Sequence, residues 1–171
     1  MKRKWIIPVV LVLFCIGCGY HFAPGGENID PGVRKVFIGK FSNNTSEANV
    51  ENYVKNAFFS RFRRAGRFTP VASMGEADAS LTGRIVSITS SHLAYSNSDL
   101  AKEDRVLMTL EVVFKRTDNG EVIWMNAALS GREAYAVAVN TSTTATNKEN
   151  ALRKLSIDMA DKAYRNIMSG F

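Results

Sequence analysis

Apolar residues recur at helical spacing in two segments of the chain. The first stripe consists of Val50, Tyr53, Val54, Ala57, Phe58, Phe62 and Ala65. Residues spaced this way share one face of a helix, so the stripe predicts an amphipathic helix that Gly66 terminates. A second stripe predicts another helix that ends near Gly170, and its members are Leu152, Leu155, Met159, Ala160, Ala163, Tyr164 and Ile167.

Polar residues mark where these two helices are expected to begin. Residues 43–46 have turn and cap chemistry, and Glu47 suits the first turn of the first helix. Residues 140–147 are rich in serine and threonine and are expected to form a loop. Thr146 and Glu149 have the spacing of a capping box, which places the start of the second helix after this loop.

Between the helices, apolar and polar residues alternate as in half-buried strands. The longest run spans residues 105–116, where the expected core face carries Val106, Met108, Leu110, Val112 and Phe114. Further strands are predicted at residues 33–41, 68–72, 79–91 and 121–139, the last of them extending or bending after Gly131. In the first of these strands, Val36 and Ile38 are expected on one face, with Phe37 and Phe41 on the other.

The connections of the last two strands leave one residue undecided. Residues 90–104 are polar and predict a long hairpin end, and the run 118–120 (Asp-Asn-Gly) predicts a tight hairpin turn. A two-residue turn would place Trp124 beside Lys115, on the sheet face away from Phe114. A three-residue loop would return Trp124 to the core, and the pattern leaves both open.

These elements predict an α+β fold. We expect a two-layer sandwich in which two long helices cover one face of a small, mostly antiparallel sheet. Arg61 falls within the apolar stripe of the first helix, so it must pass the helix end or find a buried partner. Phe59 points to the opposite side, as an isolated exposed aromatic or as a contact for a partner.

The N-terminus has the layout of a bacterial secretion signal. Residues 2–4 are basic, and the apolar run 5–14 is shorter than the roughly 20 residues that a membrane-spanning helix needs. Residues 16–18 (Ile-Gly-Cys) resemble the end of a lipobox, with Cys15 where leucine is usual. We expect removal of residues 1–17 and lipidation of Cys18, the alternative being an uncleaved anchor with an incidental cysteine.

This assignment defines the domain organisation and the charge of the mature chain. Residues 18–32 become a lipidated cysteine with a flexible tether, and residues 33–171 form one domain. Both cysteines are used, so no internal disulfide is expected. The net charge falls from +6 to about +3, because three of the 22 basic residues leave with the signal. An exported, mildly basic chain suits an anionic lipid head group better than nucleic acid.

The sequence contains no recognisable catalytic constellation. It lacks a glycine-rich phosphate loop and a GxSxG elbow. Neither His21 nor His92 has a second histidine nearby, and Cys18, the cysteine near His21, is assigned to lipidation. The acidic pairs Glu76/Asp78 and Glu103/Asp104 are expected to be solvated turn carboxylates. We therefore predict a non-enzyme with no metal and no cofactor.

Basic residues form two groups in the predicted fold. Arg61, Arg63, Arg64 and Arg67 cluster at the end of the first helix, where cations match the helix dipole. The second group lies on strands or at their ends and comprises Lys102, Arg105, Lys115, Arg116 and Arg132. Taken singly these are ordinary surface residues. As a set they are candidates for binding phosphates of an anionic glycolipid, because arginine makes forked contacts to phosphate.

Three motifs give the chain a family resemblance. Residues 18–22 (Cys-Gly-Tyr-His-Phe) resemble the mature start of the lipopolysaccharide-assembly lipoproteins, the LptE-like family. The run 81–85 (Leu-Thr-Gly-Arg-Ile) before a long hairpin, and the run 151–155 (Ala-Leu-Arg-Lys-Leu) in the last helix, are also similar to that family. The resemblance covers nearly the whole mature chain.

The resemblance implies an α+β sandwich anchored by lipid to the outer membrane and facing the periplasm. Its expected partners are a β-barrel LPS-assembly protein (LptD-like), which it would plug, and lipopolysaccharide, whose assembly in the outer leaflet it would assist without catalysis. Gly19 follows the lipidated cysteine in place of aspartate, which by analogy favours the outer membrane. The competing hypothesis is a stand-alone outer-membrane lipoprotein that binds a small ligand or a cell-wall component.

Overall fold

The computed structural model describes residues 29–93 and 102–170. The predicted signal peptide, Cys18, His21 and most of the tether lie outside the described residues, as does the middle of the polar hairpin end. The described elements are β1 (Lys35–Asn43), α1 (Val50–Ala65), β2 (Thr69–Val71), a short 3-10 turn (Met74–Glu76), β3 (Ala79–Leu93), β4 (Lys102–Arg116), β5 (Val122–Val137) and α2 (Thr141–Ser169). None of the helices in these ranges has the length and apolarity needed to span a membrane.

The five strands form one sheet in the order β2-β1-β3-β4-β5. Strand β1 runs parallel to β2 and β3, whereas β3, β4 and β5 form an antiparallel meander of long strands. Helix α1 packs on β1 and β2, α2 packs on β5 and β4, and the two helices contact each other. The predicted α+β sandwich with two helices on one sheet face is confirmed.

The core lies between the sheet and the helices. All five apolar residues predicted for the inner face of β4 are fully buried. The ring of Phe62 in α1 packs edge-on against Phe114 of β4 and Tyr164 of α2, and it stacks on Phe68. Burying an apolar side chain of this size contributes about 1.5–3 kcal/mol. These aromatic contacts fix the position of both helices over the sheet.

Phe41 lies in the core, and its predicted placement away from Val36 and Ile38 is wrong. The register of β1 against β3 shifts between Ile38 and Phe41, and this irregularity returns Phe41 to the inner face. Its ring covers Gly83 on the neighbouring strand, where a Cβ would lie 2.7 Å from the ring and 2.3 Å from the carbonyl oxygen of Glu111. Only glycine fits beside Phe41 at this point.

Helix α1 begins three residues later than predicted. Asn49, at φ 66°, precedes the first helical residue, so Glu47 lies before the helix instead of in its first turn. The side-chain amide of Asn43 donates to the Glu47 carbonyl oxygen at 2.7 Å, and the Glu47 carboxylate pairs with Lys148 of α2. Gly66, at φ 73°, ends the helix as predicted.

Helix α2 begins at Thr141, and the predicted loop over residues 140–147 is wrong. Asn140 caps the helix by accepting a hydrogen bond from the Ser142 amide at 2.9 Å. The hydroxyl of Thr144 donates to the Ala138 carbonyl and accepts from the Ala138 amide, which fastens the first turn to the end of β5. The serine and threonine hydroxyls of this segment therefore stabilise the start of the helix, although a segment rich in these residues was expected to form a loop.

The predicted capping box is also wrong. Thr146 lies inside α2, where its hydroxyl donates to the Ser142 carbonyl one turn earlier at 3.1 Å. Glu149 does not cap the helix, because its carboxylate accepts from Arg153 and from the Tyr53 hydroxyl of α1. At the other end, Gly170 adopts φ 77° and its amide donates to Asn166, which confirms the predicted stop.

Trp124 is 8% exposed and belongs to the core. The turn contains four residues, 117–120, closed by a 2.8 Å hydrogen bond from the Arg116 amide to the Glu121 carbonyl. The turn is therefore longer than both the two-residue turn and the three-residue loop that the sequence left open. A register shift just after it brings Trp124 opposite Phe114, which decides for the core placement.

Arg61 finds a partner within the helical layer. Its Nε lies 2.8 Å from Asp161 Oδ1, as an ion pair without hydrogen-bond alignment, and its guanidinium lies 4.3 Å from the Tyr164 ring. Phe59 is 37% exposed beneath the guanidinium of Arg63.

Gly131 of β5 lies under α2, because a Cβ there would approach Leu155 to 2.8 Å. Strand β5 extends through this glycine, since residues 129–137 pair with β4 without a register shift.

Candidate functional site

The five candidate phosphate-binding residues lie at two opposite ends of the sheet. Lys102 and Arg105 are at the start of β4, while Lys115 and Arg116 are at its end. At roughly 3.3 Å per residue, Arg105 and Lys115 are about 33 Å apart along the strand. Arg132 of β5 pairs with Leu107, so it belongs to the Arg105 end. The structure therefore does not bring the five residues together.

At the turn end, two carboxylates already occupy Arg116. Its Nη1 lies 2.7 Å from Asp30 Oδ2, and its Nη2 lies 2.6 Å from Asp118 Oδ2. These hydrogen bonds raise the pKa of Arg116 and hold that of Asp118 at about 2. The pKa of Asp30 is lowered first by the Gly32 amide and then by Arg116. Arg116 therefore joins residue 30 to the hairpin turn and is not a free phosphate ligand.

At the opposite end, Arg105 and Arg132 are adjacent on the sheet face that carries no helix. Arg105 pairs with Ala134, and Arg132 lies two residues before Ala134 in β5, so the backbones of Arg105 and Arg132 are about 7–8 Å apart on the diagonal. Within residues 29–93 and 102–170 neither guanidinium makes an ion pair. Two uncompensated cations therefore share this part of the sheet.

An exposed apolar residue lies between these two arginines. Leu107 is 42% exposed and is the direct cross-strand partner of Arg132. Thr89 and Ser91 of β3 flank it on the other side, opposite Leu107 and Arg105. We refer to Thr89, Ser91, Arg105, Leu107 and Arg132 as the strand-end patch. Its chemistry suits an anionic amphiphile, because arginines can bind phosphate while leucine contacts an acyl chain.

The same helix-free face carries further exposed apolar residues nearer the turn. Val122 and Met125 are 53% and 58% exposed and pair with Lys115 and Val113 of β4. Between the two ends, Arg84 and Glu111 form an ion pair across β3 and β4 at 2.7 Å. Exposed apolar side chains grouped on one face are typical of an interaction surface.

Asp104 is a buried carboxylate that sequence reasoning assigned to a solvated turn. It is 9% exposed, it lies 2.5 Å from His92 Nδ1, and it accepts a 3.3 Å hydrogen bond from the Tyr135 hydroxyl. The alternation of inward-facing and outward-facing residues along β4 could have revealed this burial, because Asp104 continues the inward-facing series that includes Val106. Asp78 also has fixed partners, since its carboxylate accepts from the Lys35 and Arg34 amides, which lower its pKa.

The described part of the chain contains no group of three or more histidine, cysteine, aspartate or glutamate side chains able to hold a metal ion. Glu76 and Glu103 are exposed carboxylates. The helix-free face of the sheet presents cations and exposed apolar side chains together.

Solved structures with little sequence similarity share this fold. A protein of Caulobacter crescentus CB15 that was crystallised as a presumed lipoprotein superposes with a TM-score of 0.52 at 10% identity, over 76% of this chain and 89% of that chain. The hypothetical protein CT253 of Chlamydia trachomatis gives a TM-score of 0.50 at 7% identity, over 81% of this chain and 99% of that chain. No curated protein matches the chain.

The described elements place the domain in the two-layer α+β class, with one sheet face free of helices. The sequence model of the LptE family, described as lipopolysaccharide-assembly, matches residues 33–167, which is nearly all of the described domain. The chain therefore belongs to the LptE family, a family of non-enzymatic outer-membrane lipoproteins with a role in lipopolysaccharide assembly. The family resemblance noted in the sequence is confirmed.

Proposed function

We propose that this protein is a lipid-anchored, periplasm-facing partner of a β-barrel protein and assists the assembly of lipopolysaccharide in the outer leaflet of the outer membrane. The family match over residues 33–167 carries the proposal. The helix-free sheet face supports it, because that face presents cations and apolar side chains together. The partner would be the LptD-like barrel that the family resemblance implies, with this domain as its plug.

The anchor in this proposal is Cys18, lipidated after removal of residues 1–17. Two or three acyl chains hold a protein stably at a membrane, whereas one chain binds marginally. Ile29 is 3% exposed and packs into the core, so the domain begins by that residue. The eleven residues from Cys18 to Asn28 would reach at most about 35–40 Å when fully extended. The domain would therefore act close to the inner surface of the outer membrane.

The strand-end patch is our proposed contact for lipopolysaccharide. Arg105 and Arg132 would bind phosphate by forked, charge-assisted hydrogen bonds, and Leu107 would contact an adjoining acyl chain. Lys102 is near the same end of β4 by its backbone position. Lys115 and Arg116 lie about ten residues away along the strand, so they would contact a different part of the ligand or the partner.

The barrel contact is proposed for the remainder of the helix-free face. Val122 and Met125 offer apolar area there. Elsewhere the surface is rich in small polar residues, including the exposed Ser142 and Thr143 in the first turns of α2. Barrel lumens are polar, so a domain inserted in one needs such a surface over most of its exterior.

Copurification tests the proposal. The full chain and the Cys18→Ala variant are isolated from gently solubilised membranes, and the associated proteins and lipids are identified. We expect one β-barrel protein and lipopolysaccharide with the parent chain, and loss of membrane retention in the Cys18→Ala variant. Recovery of a small ligand or cell-wall fragment without a barrel would instead favour the stand-alone lipoprotein.

A variant with Arg105→Gln and Arg132→Gln tests the strand-end patch separately. We expect it to keep the barrel partner and to retain less lipopolysaccharide, with the difference from the parent disappearing at high salt. Lys162→Gln is the matched control, because this exposed lysine of α2 already donates to the Ser130 carbonyl at 3.1 Å. Equal lipopolysaccharide recovery in all three proteins would contradict the assignment of the patch.

A further inference from the structure

A groove runs between the two helices on the side of the molecule away from the sheet. It has a volume of 280 Å³, and its lining consists of Tyr53, Asn56, Ala57, Ser60, Arg64, Arg153 and Ile157. Pockets for small molecules typically have volumes of about 300–1,000 Å³, so this groove suits one head group better than a whole lipid. We refer to these seven residues as the interhelical groove.

The groove exists because α1 presents small side chains toward α2. Tyr53, Ala57, Ser60 and Arg64 follow at intervals of three or four residues, so they lie along one side of α1. Ala57 and Ser60 leave space in the middle of this row, between the larger side chains at its ends. Tyr53 contacts Arg153, and Arg61 contacts Asp161, which shows that the two helices run in the same direction.

Arg153 is held in a fixed orientation at the start of the groove. Its guanidinium stacks 4.0 Å from the centre of the Tyr53 ring and bonds to Glu149 through Nε at 3.1 Å and Nη2 at 2.6 Å. The pKa of Glu149 lies below its usual range because Arg153 and Tyr53 both donate to its carboxylate. This end of the groove is therefore closed by a guanidinium that is already paired with a carboxylate.

Arg64 supplies a cation whose charge is not compensated. It is exposed three helical turns beyond Tyr53, about 16 Å along the helix axis. Within residues 29–93 and 102–170 it makes no ion pair, whereas Arg61 and Arg153 are both paired. Asn56 and Ser60 add hydrogen-bond donors between the two arginines, and Ile157 adds an apolar side chain that is half exposed.

We propose that the interhelical groove binds the phosphate group of an amphiphile at Arg64 and Ser60, with Ile157 contacting the first carbons of its apolar part. This inference rests on the proposed function in lipopolysaccharide assembly and adds a second site, on the layer opposite the strand-end patch. Arginine favours phosphate because its forked donors match two phosphate oxygens. A lipid A phosphate and a glycerophospholipid phosphate have this chemistry in common.

The test uses the full chain in a non-ionic detergent and carries Arg105→Gln and Arg132→Gln in every protein, so that the strand-end patch does not contribute. Binding of lipid A, phosphatidylglycerol and inorganic phosphate is titrated against this parent and against added Arg64→Gln. We expect Arg64→Gln to weaken lipid binding about tenfold or more, as loss of a charge-assisted hydrogen bond predicts. Tighter binding of lipid A would identify lipopolysaccharide as the source, and equal binding would identify phospholipids in general.

Two further variants make the result specific. Arg63→Gln removes the neighbouring exposed arginine, which lies over Phe59 outside the groove, and should leave binding unchanged. Ser60→Leu fills the groove while keeping both arginines and should weaken binding as Arg64→Gln does. Equal binding by the Arg64→Gln and Arg63→Gln proteins would overturn the proposal, as would binding of inorganic phosphate as tight as that of either lipid. Neither result would affect the copurification that tests the proposed function.

Discussion

Arg116 is the residue that joins the start of the domain to its longest hairpin. It binds Asp30, which is 86 residues away in the sequence, and Asp118 in the adjoining turn. Both carboxylates have pKa values below their usual range, and that of Asp118 is about 2. A carboxylate with a depressed pKa stabilises the folded state above its unfolded pKa near 4, and the contribution is lost as the pH falls toward 2.

Replacing Arg116 with glutamine should therefore raise the pKa of Asp118 toward its usual value of about 3.9. The cause is the loss of the guanidinium hydrogen bonds, which are the largest influence on this carboxyl group. Carboxyl carbon chemical shifts followed by NMR from pH 6 to pH 1.5 would measure it. Arg63→Gln is the control and should leave Asp118 unchanged. An Asp118 that still titrates near pH 2 without Arg116 would show that another group lowers its pKa.

Single-residue burial could be predicted wherever a strand is regular. The alternation through β4 correctly identified five core residues, because the bulged residues at its register shifts lie on the neighbouring strands β3 and β5 and not on β4 itself. Phe41 was misplaced because an irregularity in β1 reverses the faces after Ile38, and nothing in the local sequence announces it. Asp104 was misjudged because its carboxylate finds partners, His92 and Tyr135, on two other strands.

The elements show where local chemistry and tertiary contacts compete. Both helices were predicted from their apolar stripes, and both glycine stops are correct. Their starts were wrong because caps depend on what the preceding segment contacts. Residues 141–146 have modest helix propensity, yet Thr144 bonds to the end of β5 and Asn147 donates to the Ala136 carbonyl at 2.9 Å. These contacts with the sheet stabilise two turns that propensity alone would leave unfolded.

Asn140→Ala should destabilise the start of α2. It removes the side-chain oxygen that accepts from the Ser142 amide, and loss of such a cap costs about 1 kcal/mol. Urea denaturation would measure the free energy of unfolding, and hydrogen exchange should show faster exchange in the first turn than in the middle of α2. Thr143→Ala is the control, since this exposed threonine has no cap role and alanine favours the helix. Equal destabilisation by both variants would contradict the cap.

At the scale of the whole molecule, the sandwich presents two different binding surfaces. One sheet face is free of helices and carries the strand-end patch, and the helical layer carries the interhelical groove on the opposite side. The sequence identified the basic residues of the first surface but treated them as one set of phosphate ligands. Their separation by the length of β4, and the pairing of Arg116 with Asp30 and Asp118, follow from the tertiary structure. The groove was not predicted, because it depends on how two helices meet.

The central claim is that the protein acts in lipopolysaccharide assembly, and the amount of lipopolysaccharide at the cell surface tests it most directly. The protein is depleted from its native cells, and surface lipopolysaccharide is labelled from outside and compared with the total. We expect the surface fraction to fall on depletion and to return when the full chain is supplied again, since family membership gives it this role. A surface fraction that stays constant while the protein disappears would contradict the account.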